Sequence, residues 1–88
     1  MTNRARKARI QEVREEFLAR LKQRFPLVEL VNTEERPTGT VVFLVYAPYE
    51  DKMDILEVNS ERIAELAAME NFHVMVLPVN DRPKDRAA

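Results

Sequence analysis

Apolar residues recur at steps of three and four from Ile10 through Val13, Phe17, Leu18 and Leu21 to Phe25. Steps of that size place them on one stripe of a helix that turns by ~100° per residue. A helix is predicted from about Arg4 to Arg24, and Pro26 stops it, since proline disfavours helical backbone in the residue before it. Leu27 to Val31 then reads as a first short strand. Asn32 to Gly39 (NTEERPTG) gathers turn formers without an apolar period and is expected to be a loop. Thr40 to Ala47 (TVVFLVYA) is the strongest strand signal, apolar on both alternating sets as in a central strand.

Pro48 ends that strand, and Asp51 or Asp54 can cap a second helix; Asp54 with Glu57 resembles a capping box. Met53, Leu56, Ser60, Ile63 and Ala67 keep a helical period to about Glu70, with the weak helix formers Asn59 and Ser60 marking a kink or a restart. Asn71 is the expected C-cap. Phe72 to Val79 is the third strand, which Pro78 is expected to fray, and residues 80–88 (NDRPKDRAA) are expected to form a disordered tail.

The order α-β-β-α-β gives an α/β (α+β two-layer) fold in one small domain spanning residues 1–79. A loop between the first two strands favours an antiparallel pair, and a helical crossover makes the second and third parallel. The result is a three-stranded mixed sheet in order 1-2-3 with both helices on one face. The other face is then open. Either Val42, Leu44 and Tyr46 or Val41, Phe43 and Val45 must lie on it, joined by His73, Met75 and Leu77 or by Phe72, Val74 and Val76. Contiguous apolar patches of this kind mark interaction surfaces. Tyr46 and Tyr49, flanking Pro48, are candidate rim anchors, because tyrosine buries its ring while its hydroxyl stays wet.

Composition narrows the chemistry. A chain of 88 residues buries only about 60–65% of its unfolded surface, enough for one modest core. It has no Cys, one His and one Gly, so disulfides, thiolate metal sites, His-rich zinc sites and glycine-rich phosphate loops are excluded. The longest uncharged apolar run, Val41 to Ala47, is far short of the ~20 residues of a membrane span. The basic N-terminus lacks the apolar stretch of a signal peptide, so a cytoplasmic location is expected.

Fourteen basic and fifteen acidic residues leave a net charge of −1, which argues against general nucleic-acid or membrane-surface binding. The charge is nonetheless divided: residues 1–24 hold eight Lys/Arg against three Glu, and residues 29–70 hold ten Asp/Glu against three Lys/Arg. Such a domain can neutralise itself or dock head to tail on a copy or a charged partner. Arg14 falls inside the apolar stripe of the first helix, where a guanidinium must snorkel, pair with a carboxylate or meet a partner. His73 is the only imidazole and reads as a solvated strand residue. Glu34-Glu35 and Glu50-Asp51-Asp54 could bind a hard cation, but they read more simply as a loop pair and as charge at a helix start.

Asn59-Ser60-Glu61-Arg62-Ile63-Ala64-Glu65-Leu66 followed by the strand Phe72 to Val79, with Arg24-Phe25-Pro26 before Leu27 to Val31, resembles the small nucleotidyltransferase domains of the polymerase-β-like superfamily. The resemblance implies a Gly-Ser turn after the first strand and two carboxylates at alternate positions of the second, to approach phosphates and clamp two metal ions. The matching positions hold Asn32-Thr33, and Thr40 and Val42. A non-catalytic relative is therefore implied, with no catalytic, metal or cofactor-binding residue.

The expected function is a non-catalytic interaction or regulatory domain, a homodimer or a subunit docking on a protein partner through the open face. Val42, Leu44, Tyr46, Tyr49, Met75 and Arg14 are its candidate interface residues. A KH-like RNA-binding module is the alternative suggested by α-β-β-α-β, although its GxxG loop is missing. A nucleotide-binding transferase relative is the third.

Overall fold

A computed structural model describes residues 3–47 and 51–80. The elements run α1 (Asn3–Arg24), β1 (Glu29–Glu35), β2 (Val41–Tyr46), α2 (Lys52–Val58), α3 (Ser60–Glu70) and β3 (Val74–Val79). The sheet has order β1-β2-β3, with β1 antiparallel and β3 parallel to β2, as the loop and crossover connections require. The predicted α/β class and strand order are those observed.

The core lies between the sheet and the helices. Ile10, Val13, Phe17 and Leu21 of α1 pack with Ile55 of α2 and Leu66 of α3 against Val41, Phe43, Val45, Val74 and Val76 of the sheet. Phe17 and Phe43 meet edge to face at 5.9 Å between ring centres, which ties the middle of α1 to the middle of β2. The helices thus cover one sheet face, and the alternation of β2 turns Val42, Leu44 and Tyr46 to the other.

Four local expectations are corrected. The first strand does not end at Val31: β1 runs from Glu29 to Glu35, so most of the expected 32–39 loop is strand. Pairing with β2 supplies the hydrogen bonds that the polar run NTEE could not advertise, and Val31 is the extra residue of a bulge between Leu30 and Asn32. The connection shrinks to a tight turn in which the Gly39 N–H donates to the Arg36 carbonyl (2.9 Å) and the Arg36 N–H to the Thr40 carbonyl (2.8 Å). Pro37 stands at the second position of that turn, and Gly39 adopts φ +93°, a backbone open to glycine.

The second helix is two helices. It breaks at Asn59, where the Ser60 hydroxyl donates to the Glu57 carbonyl at 2.9 Å, so of the kink and the restart the chain takes the restart. A single continuous period over this segment selects the wrong face of α2, where Met53 and Leu56 are exposed and Ile55 is buried, whereas Ile63 of α3 does pack against the core beside the buried Leu66. Asp51 occupies the N-cap of α2 without a side-chain hydrogen bond, and Asp54 lies inside the helix, so no capping box forms there. Asn71 does cap α3, in the left-handed region at φ 53°.

Pro78 does not fray the third strand, which continues through it to Val79. The Val41 N–H donates to the His73 carbonyl (2.9 Å) and the Ala47 N–H to the Val79 carbonyl (3.3 Å). With alternation between them, the odd-numbered residues of β3 face β2, and Pro78 directs its missing N–H to the outer edge, where no ladder bond is lost. Of the expected tail, residues 81–88 lie outside the described residues, as does Tyr49.

Candidate functional site: the open sheet face

The face away from the helices has two unlike halves. On β2 and β3 it presents Val42, Leu44 and Tyr46 beside Met75, Leu77 and Val79, paired level by level through the parallel register. On β1 it presents Glu29, Asn32 and Glu34, which pair with Tyr46, Leu44 and Val42. An apolar band two strands wide is therefore flanked by one polar strand.

Exposure within the band is graded. Val42 is only 2% exposed although it stands outside the helix-packed core, so its neighbours on the open face shelter it. Leu44 and Tyr46 are half-buried, whereas Met75 is 50% and Leu77 38% exposed. The hairpin turn overhangs one end of the band. A shallow groove of about 400 Å³ lies there, lined by Arg36, Pro37, Thr38, Thr40, Val42, Met75 and Leu77. Arg36 is held at the rim by Glu34 at 3.1 Å.

Val42, Leu44, Tyr46 and Met75 are thus brought together on one surface. Arg14 is not among them: it lies on the helix side, half-buried, and its Nη1 donates to the Thr33 hydroxyl at 3.2 Å. Among the described residues no carboxylate pairs with it. Sequence reasoning missed the contribution of Arg36, Pro37 and Thr38, because 32–39 read as one shapeless loop. The signal was present in Pro37-Thr38-Gly39, which suits a three-residue hairpin turn.

Part of the divided charge is paired inside the fold. Arg6 on α1 bonds Glu35 of β1 (3.2 Å) and the Gly39 carbonyl (2.9 Å). Arg9 binds both carboxylate oxygens of Glu70 at the end of α3, with Nε to Oε1 at 2.9 Å. Glu16 receives Arg62 of α3 at 2.9 Å and Arg20 of its own helix at 3.0 Å, while Arg62 also reaches Glu65. The hydrogen bonds from Arg9 hold the Glu70 carboxyl below its ordinary value, and the same bonds raise Arg9. α1 therefore lies antiparallel to α3, clamped at Arg9–Glu70 and at Glu16–Arg62.

Of the remaining candidates, Glu50 lies outside the described residues. His73 is exposed, with Nε2 3.0 Å from the Asn71 side-chain oxygen. Glu34 and Glu35 are each paired with an arginine. Among the described residues no group of three or more His, Asp or Glu is placed to hold a metal ion. Asn32 and Thr33 lie within β1 rather than in a turn after it, and Thr40 and Val42 border the apolar groove. No helix among the described residues is long and apolar enough to cross a membrane. Compared with protein-family models, with curated proteins and with solved structures, the chain matches none.

Proposed function

We propose that the chain is a non-catalytic interaction domain that docks a second copy of itself through the open sheet face. The observation that carries this reading is the apolar band of Val42, Leu44, Tyr46, Met75, Leu77 and Val79 on the side away from every helix. Two considerations bear on how the band is covered.

Residues 81–88 (DRPKDRAA) contain no large apolar side chain with which to cover the band. Association along the sheet edges is disfavoured. Pro78 interrupts the outer edge of β3, while Glu29, Glu34, Glu35 and the Val31 bulge mark β1. RNA binding is less well supported, because Arg6, Arg9 and Arg62 are already engaged by carboxylates.

Sedimentation over a concentration series tests the reading. The expected result is a dimer that Leu77→Lys converts to a monomer that still folds cooperatively, since Leu77 is already partly exposed. A wild-type chain that stays monomeric at about 1 mM, where even contacts worth only ~4 kcal/mol are half-formed, overturns it.

A further inference from the structure

We infer that the groove at the hairpin end of the open face is shaped from the opposite side of the sheet, by Arg6 of α1 acting as a positioning residue for both of its walls. One wall is the turn, through Arg36, Pro37 and Thr38; the other is β3, through Met75 and Leu77, with Val42 between them. Val42 is 2% exposed, whereas Leu44, next along the same strand on the same face, is half-buried. Both have β1 on one side and β3 on the other. What distinguishes the level of Val42 is the overhanging turn.

That turn is held by one glutamate on each side of the sheet. Alternation sends consecutive strand residues to opposite faces, and the bulge at Val31 sets the phase in which β1 reaches its end. Glu34 pairs with Val42 on the open face and takes Arg36 at 3.1 Å. Glu35 pairs with Val41 on the helix side and accepts from Arg6 Nε at 3.2 Å. The Glu34–Arg36 contact lies within the hairpin and moves with it. Arg6 instead ties the hairpin to another element, because its Nη2 also donates to the Gly39 carbonyl at 2.9 Å.

The same guanidinium reaches the second wall. Its central carbon lies 5.8 Å from the centre of the Phe72 ring, within the range of a cation–π contact. Phe72 is buried and leads into β3, where the His73 carbonyl receives the Val41 N–H at 2.9 Å. Arginine suits this task. Its planar fork presents donors in fixed directions while its face lies on an aromatic ring, which the point charge of a lysine cannot reproduce. The turn and the start of β3 thus share one anchor, and the spacing between the walls follows from it. Without Arg6 the turn is held only by its own hydrogen bonds, opens more often and uncovers Val42. Any molecule that binds the open face meets a groove whose width α1 sets from behind.

Backbone amide exchange reads the turn directly. The Gly39 N–H, bonded to the Arg36 carbonyl, and the Arg36 N–H, bonded to the Thr40 carbonyl, report its local opening, and the Val45 N–H in the central strand reports opening of the whole domain. Arg6→Gln is compared with Arg14→Gln, which removes an arginine of the same helix that bonds Thr33 in the middle of β1. The ratio of turn exchange to Val45 exchange is expected to rise several-fold in Arg6→Gln and to stay at the wild-type value in Arg14→Gln. An unchanged ratio in Arg6→Gln, or an equal rise in both variants, overturns the inference, because Arg6 would then serve only the general stability of α1.

The absence of cysteine allows a second readout at the groove floor. A single thiol, from Val42→Cys or from Val45→Cys, is trapped by an aromatic disulfide reagent at a rate that follows its exposure. Adding Arg6→Gln is expected to speed trapping at position 42 several-fold relative to position 45, which is buried among the helices. Equal speeding at both positions, or none at 42, overturns the inference. Both measurements are made at a concentration where sedimentation shows a monomer, so failure here and failure of the docking reading remain distinguishable.

Discussion

Gly39 shows how much one residue can decide. It is the single glycine of the chain, and its φ of +93° is what lets β1 return as β2 through Pro37-Thr38-Gly39. A Cβ built on it would meet nothing within 4 Å, so the cost of Gly39→Ala is that of the backbone alone. That cost is about 1–2 kcal/mol, to be read as a shift in the urea midpoint at unchanged slope. Glu70 decides less, but with a definite sign. Its carboxyl is held below the ordinary 4.5 in the folded chain by the hydrogen bonds from Arg9, so its contribution is present above the unfolded value and lost as the pH falls through the folded one. Glu70→Gln is therefore expected to lower the Tm slightly at pH 7, with the difference from wild type closing as the pH falls below 4.5. Thermal scans between pH 3 and 7 measure it.

At the scale of elements, local signals were most legible where periodicity is long and one-sided. α1 was readable because its apolar stripe recurs over four turns, and β2 because both of its alternating sets are apolar. β1 was readable only at its start, since Asn32, Thr33, Glu34 and Glu35 are polar and owe their strand conformation to the partner strand. In the second helical segment the restart at Asn59 was one of the two legible outcomes, but the phase carried through it was not, because a helix that restarts does not keep its phase. Pro78 was read as a defect, yet on an outer edge it takes nothing from the ladder and blocks strand addition. Pro78→Val is expected to leave the unfolding midpoint nearly unchanged and to increase aggregation at high concentration, which light scattering detects.

At the scale of the whole molecule, the charge division along the chain becomes a set of clamps. Arg6–Glu35, Arg9–Glu70 and Arg62–Glu16 join α1 to the sheet and to α3. With those charges engaged, docking through the open face rests on apolar contact. Raising the salt from about 50 to 500 mM is therefore expected to change the dimer Kd by no more than about threefold; a tenfold weakening would mean that exposed ion pairs hold the interface. The candidate site itself was half legible. The sequence named Val42, Leu44, Tyr46 and Met75 as one of two possible sets, and it placed Arg14 with them, which the helix side claims through Thr33.

By itself the sequence determined the number and type of most elements, the strand order and the presence of an uncovered apolar face. These follow from periodicity, proline and the lengths of the connections, all of which are local. Only the tertiary structure decided which alternating set of β2 the helices cover, where β1 ends and which carboxylate each arginine finds. A period of two is symmetric between the faces of a strand, and it takes the docking of Phe17 on Phe43 to break that symmetry. Once Val41, Phe43 and Val45 are committed to the helices, Val42, Leu44 and Tyr46 have no other place than the open side.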